Sequence, residues 1–519
     1  MAFNSLLFIL LFLPVVVWLH RLALARGSAV ARQVVLVAAG LVFYALAGLA
    51  ALPVLAASVI GNHVCAKIIA SRVAVLPRSG AMALRIGVIA NLALLGAFKY
   101  SAFAVGMFAP GLAVRIDHTL ILPIGLSFFT FQQIGFLVDV ARGRCAVPRP
   151  LAHAASIVFF PIMLAGPITY VRELVPQLER IPSREERRSD LGVGAALFAI
   201  GLFKKTVLAD TLALWVDPLF SGVDQGGHPG SIQAWMMVGG YLLQMYFDFS
   251  GYSDMAIGAA RMVGIRVPLN FFSPLRSTSI IEWWRRWHAS LGRFVNEYIF
   301  QSLALPLTRW SMKRGGSMRM IHGAGVLLPT AISMFVIGVW HGGRWTYAVF
   351  GLLHALYMVI AEIWRFWRKR RKPLLPPRLG QVLAPALGNV LTIACVLVAL
   401  APFRATTMGA AARIWVGMAG GAADRFAGVA WPFPGPVMVP VAGAEIVAGL
   451  LFVYTLPNSL QLFRDWQPVL PTPLLSAKAR MPRLVWRPTI GWALALGLVG
   501  AAGLAFISRG GGQFVYFAF

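Results

Sequence analysis

The chain has 519 residues, of which 59% are hydrophobic and only 12% charged, and its mean hydropathy is +0.75. Soluble domains carry about a quarter charged residues, so this composition excludes a soluble protein and predicts a polytopic membrane protein. The net charge of +28 arises from basic residues in short loops between apolar runs. The positive-inside rule explains that pattern, and we expect membrane lipid and not nucleic acid as a partner.

The N-terminal apolar run has no basic segment before it and predicts an uncleaved first span. Basic residues in the loop that follows, including Arg21, Arg26 and Arg32, place this loop in the cytoplasm and the N-terminus outside. Residues 33–66 predict one long helix or two tightly turned helices, with Pro53 as a possible break.

Further spans follow along the chain, to a total of about eleven. They are predicted at residues 85–99, 120–138, 191–208, 232–263, 323–343, 347–364, 382–402, 437–456 and 490–507. The short run 153–166 is interpreted as re-entrant, and the charged segment 172–190 as an extramembrane loop. The three cysteines are scattered without metal spacing, so we expect no disulfide and no metal.

Polar groups interrupt two of these predicted helices. Residues 122–133 combine a Pro-Gly break with hydroxyl and amide side chains, which fits either a cavity-lining helix or plain helix contacts. Residues 246–258 carry Asp248, Tyr252 and Asp254 in an apolar run, and such carboxylates need basic partners from neighbouring helices. A packing network is favoured for Asp254, whereas Asp248 and Tyr252 remain candidates for substrate binding.

The segment 279–288, SIIEWWRRWH, predicts a helix at the membrane interface that starts with a capping box of Ser279 and Glu282. In a continuous helix, Trp284 and His288 lie on one face. One interpretation is an interfacial anchor. In the functional alternative, Arg285 and Arg286 bind an anionic group such as a cofactor phosphate, and His288 lines the catalytic path. Trp284 is then a further candidate for substrate or cofactor binding.

Residues 323–343 form an uncharged run that is long enough to cross a membrane and ends in Trp340, His341 and two glycines. Ionisable groups at membrane depth are costly, and imidazole is suited to proton transfer near neutral pH. His341 is therefore a catalytic candidate, and Trp340 beside it is a candidate for substrate or cofactor binding. The alternative is a histidine that only ends a helix.

The chain ends in an aromatic segment, 514–519, behind three glycines. Its one hydroxyl, on Tyr516, makes it either a functional tail or an apolar segment in the headgroup region. There is no GxSxG, Walker or HExxH motif, so a standard serine hydrolase triad is not supported.

Taken in order, these motifs resemble those of bacterial membrane-bound O-acyltransferases, especially the branch that O-acetylates alginate and other exopolysaccharides. The motifs are LPIGLSFFTFQQIGFLVDV, FFPIMLAGPI, YFDFSGYSDMAIG, NFFSPLRS, WWRRWHASL, VIGVWHGGRW, FRA, LPNS and the terminal FVYFAF. The resemblance covers nearly the whole chain. It implies an all-α fold of about eleven transmembrane helices, with interfacial and re-entrant helices, around a catalytic tunnel in one domain of residues 1–519.

The resemblance also implies a function in the bacterial inner membrane. His341 would be the active-site histidine and His288 its partner, with acetyl-CoA as cytoplasmic donor. A periplasmic acetyltransferase partner of the SGNH type would complete transfer to a polysaccharide, and Tyr516 would hand on the acyl group. The chain departs from the family at 296–298, where Asn-Glu-Tyr replaces an expected Arg-Asp-Tyr, and it lacks a glycine turn there.

Two rival functions remain open from the sequence. The D-alanyl transfer branch for teichoic acids shares the general pattern, and a neighbouring carrier-protein gene would favour it. A transporter or flippase of lipid-linked sugars would also use intramembrane carboxylates and broken helices. A purely structural scaffold would have no use for His341 between an indole and two glycines.

Overall fold

The structure is a computed structural model that describes residues 1–73, 77–109, 111–112, 116, 122–368, 376–421, 435–476, 484–507 and 514. Every regular element within these ranges is a helix. Among the described residues, eight helices are long and apolar enough to cross a membrane. They are Phe8–Ala25, Ala29–Arg72, Arg78–Lys99, Arg184–Asp224, Met318–His341, Trp345–Arg368, Arg378–Arg404 and Val439–Trp466. The predicted all-α polytopic fold is confirmed.

Three of the predicted spans are helices outside this set of eight. Leu126–Ala141 and Ile490–Ala505 are apolar but only 16 residues long. Ser231–Met262 has 32 residues and carries the predicted polar sequence. Shorter helices complete the described chain, including Ser101–Gly106, Pro150–Ile157, Val171–Glu179, Ile280–Arg286, Ala289–Val295, Gln301–Lys313, Met408–Met418 and Ser459–Leu462.

Two local predictions have different outcomes. The run 153–166 does not form a spanning helix, as expected: the helix there ends at Ile157, and residues 158–170 follow as a buried irregular segment. The interpretation of 172–190 as a loop is wrong, because it forms the helix Val171–Glu179 and the start of the helix Arg184–Phe203. Ser183 and Glu186 make a capping box at the second start, which supplies the free N–H groups with acceptors.

The described helices form two compact units, one drawn from residues 1–206, 249–269 and 459–518 and the other from residues 207–248 and 270–458. In the first unit, glycines let the helix Arg184–Phe203 approach the second half of Ser231–Met262. A Cβ on Gly194 would lie 2.6 Å from the carbonyl oxygen of Gly258. A Cβ on Gly201 would lie 2.5 Å from that of Gly251. Only glycine allows both approaches.

Beside this crossing lies a buried polar network. Lys204 Nζ is 2.6 Å from Asp254 Oδ2, and the Ser459 hydroxyl donates to Asp254 Oδ1 at 2.8 Å. Both charged side chains are nearly inaccessible to solvent, so each compensates the other. The predicted packing role of Asp254 is confirmed.

A fully buried guanidinium ties several segments of the first unit together. Arg32 donates through Nε to His20 Nε2 at 2.9 Å and through Nη1 to the carbonyls of Gln177 and Arg180 at 2.6 and 2.7 Å. Its Nη2 donates to the carbonyl of Val263 at 2.9 Å. These bonds join the helix Ala29–Arg72 to the turn after Glu179 and to the end of the helix Ser231–Met262.

Replacing Arg32 by alanine should therefore strongly destabilise the first unit. The change leaves several buried acceptors without a donor, and breaking such a buried interaction costs roughly 3–5 kcal/mol. The measurement is thermal unfolding of the purified protein in detergent, with Arg26→Ala as the control because Arg26 is exposed in the turn just before the same helix. Equal melting temperatures for the two variants would show that the guanidinium is not a structural centre.

Candidate active site

His341 is the last residue of the helix Met318–His341, called here the histidine helix. The helix starts at the Ser317 cap, contains a π turn at Gly323–Leu327 and carries no formal charge after Arg319. Gly342 follows in an extended conformation, and its N–H donates to the carbonyl of Val339 at 3.1 Å. His341 is 8% exposed, so the end of this helix is also a buried position.

Aromatic rings surround the His341 imidazole. The Phe403 and Phe350 rings meet it edge-on, at centroid distances of 4.9 and 5.9 Å. Trp340 and Tyr347 lie at 4.9 and 6.1 Å. We call these four rings the aromatic cage. A cage of this composition keeps bulk water away from the imidazole, and electrostatic interactions strengthen when water is excluded.

The cage depends on a close crossing of the histidine helix with the next helix, Trp345–Arg368. A Cβ on Gly338 would lie 2.5 Å from the Cα of Gly351, and one on Gly351 would lie 3.0 Å from the Cα of Gly338. The backbones therefore touch, as small residues permit in membrane helices. This contact brings Tyr347 and Phe350 next to His341.

Gly342 contributes to the cage because it has no side chain and so leaves room for the Tyr347 ring. A Cβ there would lie 2.7 Å from Cε2 of Tyr347.

Gly342→Ala should push this ring away and lower turnover about tenfold or more, since small misplacements near the reacting groups greatly reduce the rate. The measurement is the acyl-transfer rate of folded protein, with Gly323→Ala as control because nothing lies within 4 Å of that position. Unchanged turnover in Gly342→Ala would show that the reaction does not depend on where the Tyr347 ring lies.

His288 lies where the predicted interfacial helix breaks. The helix Ile280–Arg286 starts at the Ser279 cap, but Trp287 is extended and His288 has φ +43°. The prediction that Trp284 and His288 share a helical face is therefore wrong. The capping box is also modified, since the Glu282 carboxylate accepts from Thr278 and not from Ser279.

A segment 18 residues earlier holds this break in place. The N–H of Phe272 donates to the carbonyl of Arg286, and the N–H of Ala289 donates to the carbonyl of Asn270. A left-handed residue other than glycine costs about 1–3 kcal/mol and persists only where its surroundings fix it. The backbone bonds on either side of His288 supply that constraint.

The surroundings of His288 also determine its protonation. Asn270 Oδ1 is 2.8 Å from His288 Nδ1 and accepts a further bond of 2.8 Å from the Ser290 hydroxyl. Because an amide oxygen only accepts, Nδ1 carries the proton and Nε2 is the basic nitrogen. His288 lies outside the long apolar helices, and burial lowers its pKa to about 3. It is therefore neutral at physiological pH.

Trp340 connects the two histidines within the second unit. Its ring lies 4.9 Å from that of His341 and 6.3 Å from that of His288. The structure thus brings together three side chains that the sequence analysis selected. Asn270, Phe350 and Phe403 were missed as members of the site, although Asn270 and Phe403 stand in two of the motifs that carry the family resemblance.

Trp284 supports the cage from behind. Its indole Nε1–H donates to Nδ1 of the buried His354 at 3.3 Å. The His354 ring packs on Phe350 at 4.6 Å, and Phe350 in turn contacts His341. His354 was not predicted, because nothing in its sequence neighbourhood distinguishes it from other polar groups on an amphipathic helix.

The remaining predicted residues lie elsewhere. Arg285 is exposed, whereas Arg286 is half-buried, forms an ion pair of 2.6 Å with Glu282 and lies over the Phe272 ring. Asp248 is buried in the second unit. Tyr252 is buried in the first unit, where its ring contacts Phe3 at 4.9 Å and Phe514 at 4.8 Å.

Two further predictions concern the tail and metals. Tyr516 lies outside the described residues, although the described Phe514 is buried. Within the ranges that the structure describes, no group of three or more His, Cys, Asp or Glu side chains could hold a metal ion. The expectation of metal-free chemistry stays a prediction.

Comparison with known proteins identifies the family. The model of the membrane-bound O-acyltransferase family matches residues 146–394, a range that contains His288 and His341. A peptidoglycan O-acetyltransferase from Helicobacter pylori is 32% identical over 81% of this chain and 80% of that protein. The chain belongs to the membrane-bound O-acyltransferase family. It is a multi-pass membrane acyltransferase, as the motif resemblance implied.

Two further relatives indicate how widely the family varies. A probable alginate O-acetylase from Azotobacter vinelandii is 34% identical over 70% of this chain and 69% of the relative. A teichoic acid D-alanyltransferase from Streptococcus thermophilus is 26% identical over 57% of this chain and 72% of the relative. All three names describe the transfer of an acyl group to a cell-envelope or exported polymer.

Proposed function

We propose that this acyltransferase moves acetyl groups from cytoplasmic acetyl-CoA toward hydroxyls of an exported or cell-surface polysaccharide, in the bacterial inner membrane. The observation that carries the proposal is the placement of His341, a buried imidazole at a helix end inside an aromatic cage, next to Trp340 and the neutral His288. The relatives with the higher identities are named as O-acetyl-transferring proteins, which favours acetyl as the acyl group.

In the proposed mechanism His341 acts as general base. It takes the proton of an acceptor hydroxyl while the hydroxyl oxygen attacks the thioester carbonyl of acetyl-CoA. A C–O bond forms, the C–S bond breaks as the tetrahedral intermediate collapses, and the proton passes from His341 to the leaving thiolate. The products are an O-acetyl ester and CoA, so atoms and charges balance.

The hydrogen bonds of His288 support a role for it on the acceptor side of the reaction. A neutral histidine whose Nδ1 proton is bound by Asn270 presents Nε2 as an acceptor, and it cannot donate from that nitrogen to an oxyanion. We therefore assign His288 Nε2 to orienting the acceptor hydroxyl. The oxyanion requires other donors. We assign this role to the indole N–H of Trp340, because an indole nitrogen only donates and the Trp340 ring lies 4.9 Å from that of His341.

The other groups selected from the sequence keep proposed roles in binding. Arg285 and Arg286 would meet the phosphates of CoA, for which the exposed Arg285 is the more available cation. Trp284 would act through His354 and the cage, as a positioning residue. Asp248 and Tyr252 stay predicted substrate-binding residues without a contact that assigns them to the donor or to the acceptor.

Onward transfer is proposed to use a second protein. A periplasmic acetyltransferase of the SGNH type would take the acetyl group and place it on the polysaccharide, with Tyr516 as an acyl relay. If the relay exists, Tyr516→Phe should abolish covalent acetyl label on the chain but leave CoA binding intact. Label retained by this variant would discard the relay and keep the transferase.

The donor can be tested directly with purified protein in detergent. Release of free CoA from acetyl-CoA, in the presence of partner and polysaccharide, is the expected result. D-alanyl transfer is the second candidate, because relatives named teichoic acid D-alanyltransferase also match this chain. Consumption of a carrier-bound D-alanyl thioester, with acetyl-CoA untouched, would assign the chain to that reaction. Solute flux without thioester consumption would instead indicate a transporter or flippase, the other alternative that the sequence leaves open.

A further inference from the structure

The first unit, which does not contain His341, has grooves between its helices. Two grooves flank the contact between the helices Arg184–Phe203 and Ile490–Ala505. The larger has a volume of about 1030 Å³ and the smaller about 520 Å³. Ala195, Ala199, Gly500 and Leu504 line both grooves, which therefore converge at their apolar ends.

The lining of the larger groove changes from charged to apolar along its length. Glu185, Arg188 and Ser189 line one end, and small residues such as Gly192 and Ala199 line the rest. Eleven residues separate Arg188 from Ala199, which corresponds to about 16 Å of helix. That length is about half of the ~30 Å hydrocarbon layer, so the groove extends through one leaflet.

Tryptophan side chains build the polar end of the larger groove. Trp466 and Trp486 meet edge-on with ring centroids 5.2 Å apart, and Trp466 Nε1 donates to the carbonyl of Trp486 at 3.3 Å. Trp486 is buried, and its backbone N–H donates to Leu462 at 2.8 Å. Tryptophans are enriched at the level of lipid headgroups, so this end of the groove lies at the membrane surface.

The smaller groove has the same order of residues. Trp18 and Arg21 line its polar end, and apolar residues of the first helix and of the helices Arg184–Phe203 and Ile490–Ala505 line most of the remainder. Arg21 Nη2 donates to the carbonyl of Arg187 at 3.3 Å, which places the Arg21 guanidinium at the helical turn that carries Arg188. The two grooves therefore open at one level, each with an arginine and at least one tryptophan.

The charge at this level is positive. Two of the carboxylates on the same helical turns have cationic partners, since Glu186 pairs with Arg180 and Asp190 pairs with Arg261. Glu185 lines the larger groove and is exposed, so it opposes an anion there. Arg21 and Arg188, with the exposed Arg184 close by, outweigh that single carboxylate.

We propose that the two grooves bind one anionic diacyl phospholipid of the cytoplasmic leaflet. Its phosphate would lie between Arg21 and Arg188, and one acyl chain would occupy each groove. The charge at the groove openings selects an anionic headgroup, the length of the larger groove matches one leaflet, and the openings of both grooves at one level match two chains that leave one glycerol. The arginine-rich side is also the side that the positive-inside rule assigns to the cytoplasm.

The test measures binding of two defined lipids to the purified full-length chain. Phosphatidylglycerol or phosphatidylcholine is added to delipidated protein in detergent, and the melting temperature is followed against lipid concentration. A ligand that binds the folded state raises the melting temperature in a concentration-dependent manner. Phosphatidylglycerol should stabilise the wild type, and phosphatidylcholine should do so only at much higher concentration.

Three variants and two controls locate the site. Arg21→Gln and Arg188→Gln should each weaken phosphatidylglycerol binding about fivefold, while Arg319→Gln, an exposed arginine outside the grooves, should not. Gly497→Leu should fill the larger groove, because nothing lies within 4 Å of a Cβ there, whereas Gly491→Leu is equally uncrowded and lines neither groove.

Each variant is judged against its own melting temperature without lipid, so a loss of stability is not mistaken for a loss of binding. Equal stabilisation by the two lipids would overturn the anionic site. Wild-type binding by Gly497→Leu would also contradict it, as would stabilisation by a single-chain detergent alone. The site does not rest on the proposed reaction, and these readouts contain no measure of catalysis.

Discussion

Replacing His341 by alanine is expected to lower the rate of CoA release from acetyl-CoA by about 10²- to 10⁴-fold, the usual contribution of a general base. The imidazole is the ionisable group inside the aromatic cage, and alanine leaves no proton acceptor at that point. The affinity for acetyl-CoA should change little, because the role is confined to proton transfer. The measurement is kcat and KM of detergent-purified protein.

His228→Ala is the matched control for this prediction. It removes an exposed histidine from a loop of the same unit and should retain wild-type turnover. Both variants should show the melting temperature of the wild type. If folded His341→Ala turned over acetyl-CoA at the wild-type rate, His341 would be only a residue that ends a helix.

The second large effect concerns His288. His288→Ala is expected to lower turnover by about 10²-fold, because Nε2 would no longer orient the acceptor hydroxyl. A purely structural role for this left-handed residue could produce the same loss. Asn270→Asp separates the two explanations, because it keeps the shape and the hydrogen bond to Nδ1 while adding a negative charge.

The negative charge introduced by Asn270→Asp determines how the activity of this variant changes with pH. In the wild type the His288 pKa is about 3, so the neutral form is present throughout the physiological range. An aspartate next to Nδ1 favours the imidazolium and raises that pKa. Asn270→Asp should therefore lose activity as the pH falls through the raised pKa, and should recover activity at high pH.

The pH profile of kcat/KM is the measurement for this prediction. Its acidic limb should move to higher pH in Asn270→Asp, while Ser290→Ala, which removes a neutral hydrogen bond to the same amide oxygen, should not add such a limb. Superimposable profiles for the wild type and Asn270→Asp would exclude His288 as a group that must be neutral for the reaction.

The membrane spans and the position of His341 could be read from the sequence, because hydropathy and charge act over neighbouring residues. The partner of Asp254 could be predicted as basic for the same physical reason, since a buried carboxylate needs compensation. The capping box at Ser183 was also present in the sequence. It would have identified the helix that was interpreted as a loop.

The local geometry of His288 could not be read in this way. No glycine or proline marks the break after Arg286, and continuous helix was the natural expectation for that segment. The break is held by Asn270 and Phe272, which are distant in sequence and contribute through backbone bonds. Phe403 reaches His341 from 62 positions away, so no local pattern could place it in the cage.

We propose that this chain transfers acetyl from acetyl-CoA to a hydroxyl by means of His341. The decisive experiment incubates the purified chain, its partner and polysaccharide with acetyl-CoA labelled in the acetyl group, and then measures base-labile label on the polymer. We expect label with the wild type and with His228→Ala, and none with His341→Ala. Equal labelling by His341→Ala, or label found only as free acetate with the wild type, would contradict this proposal.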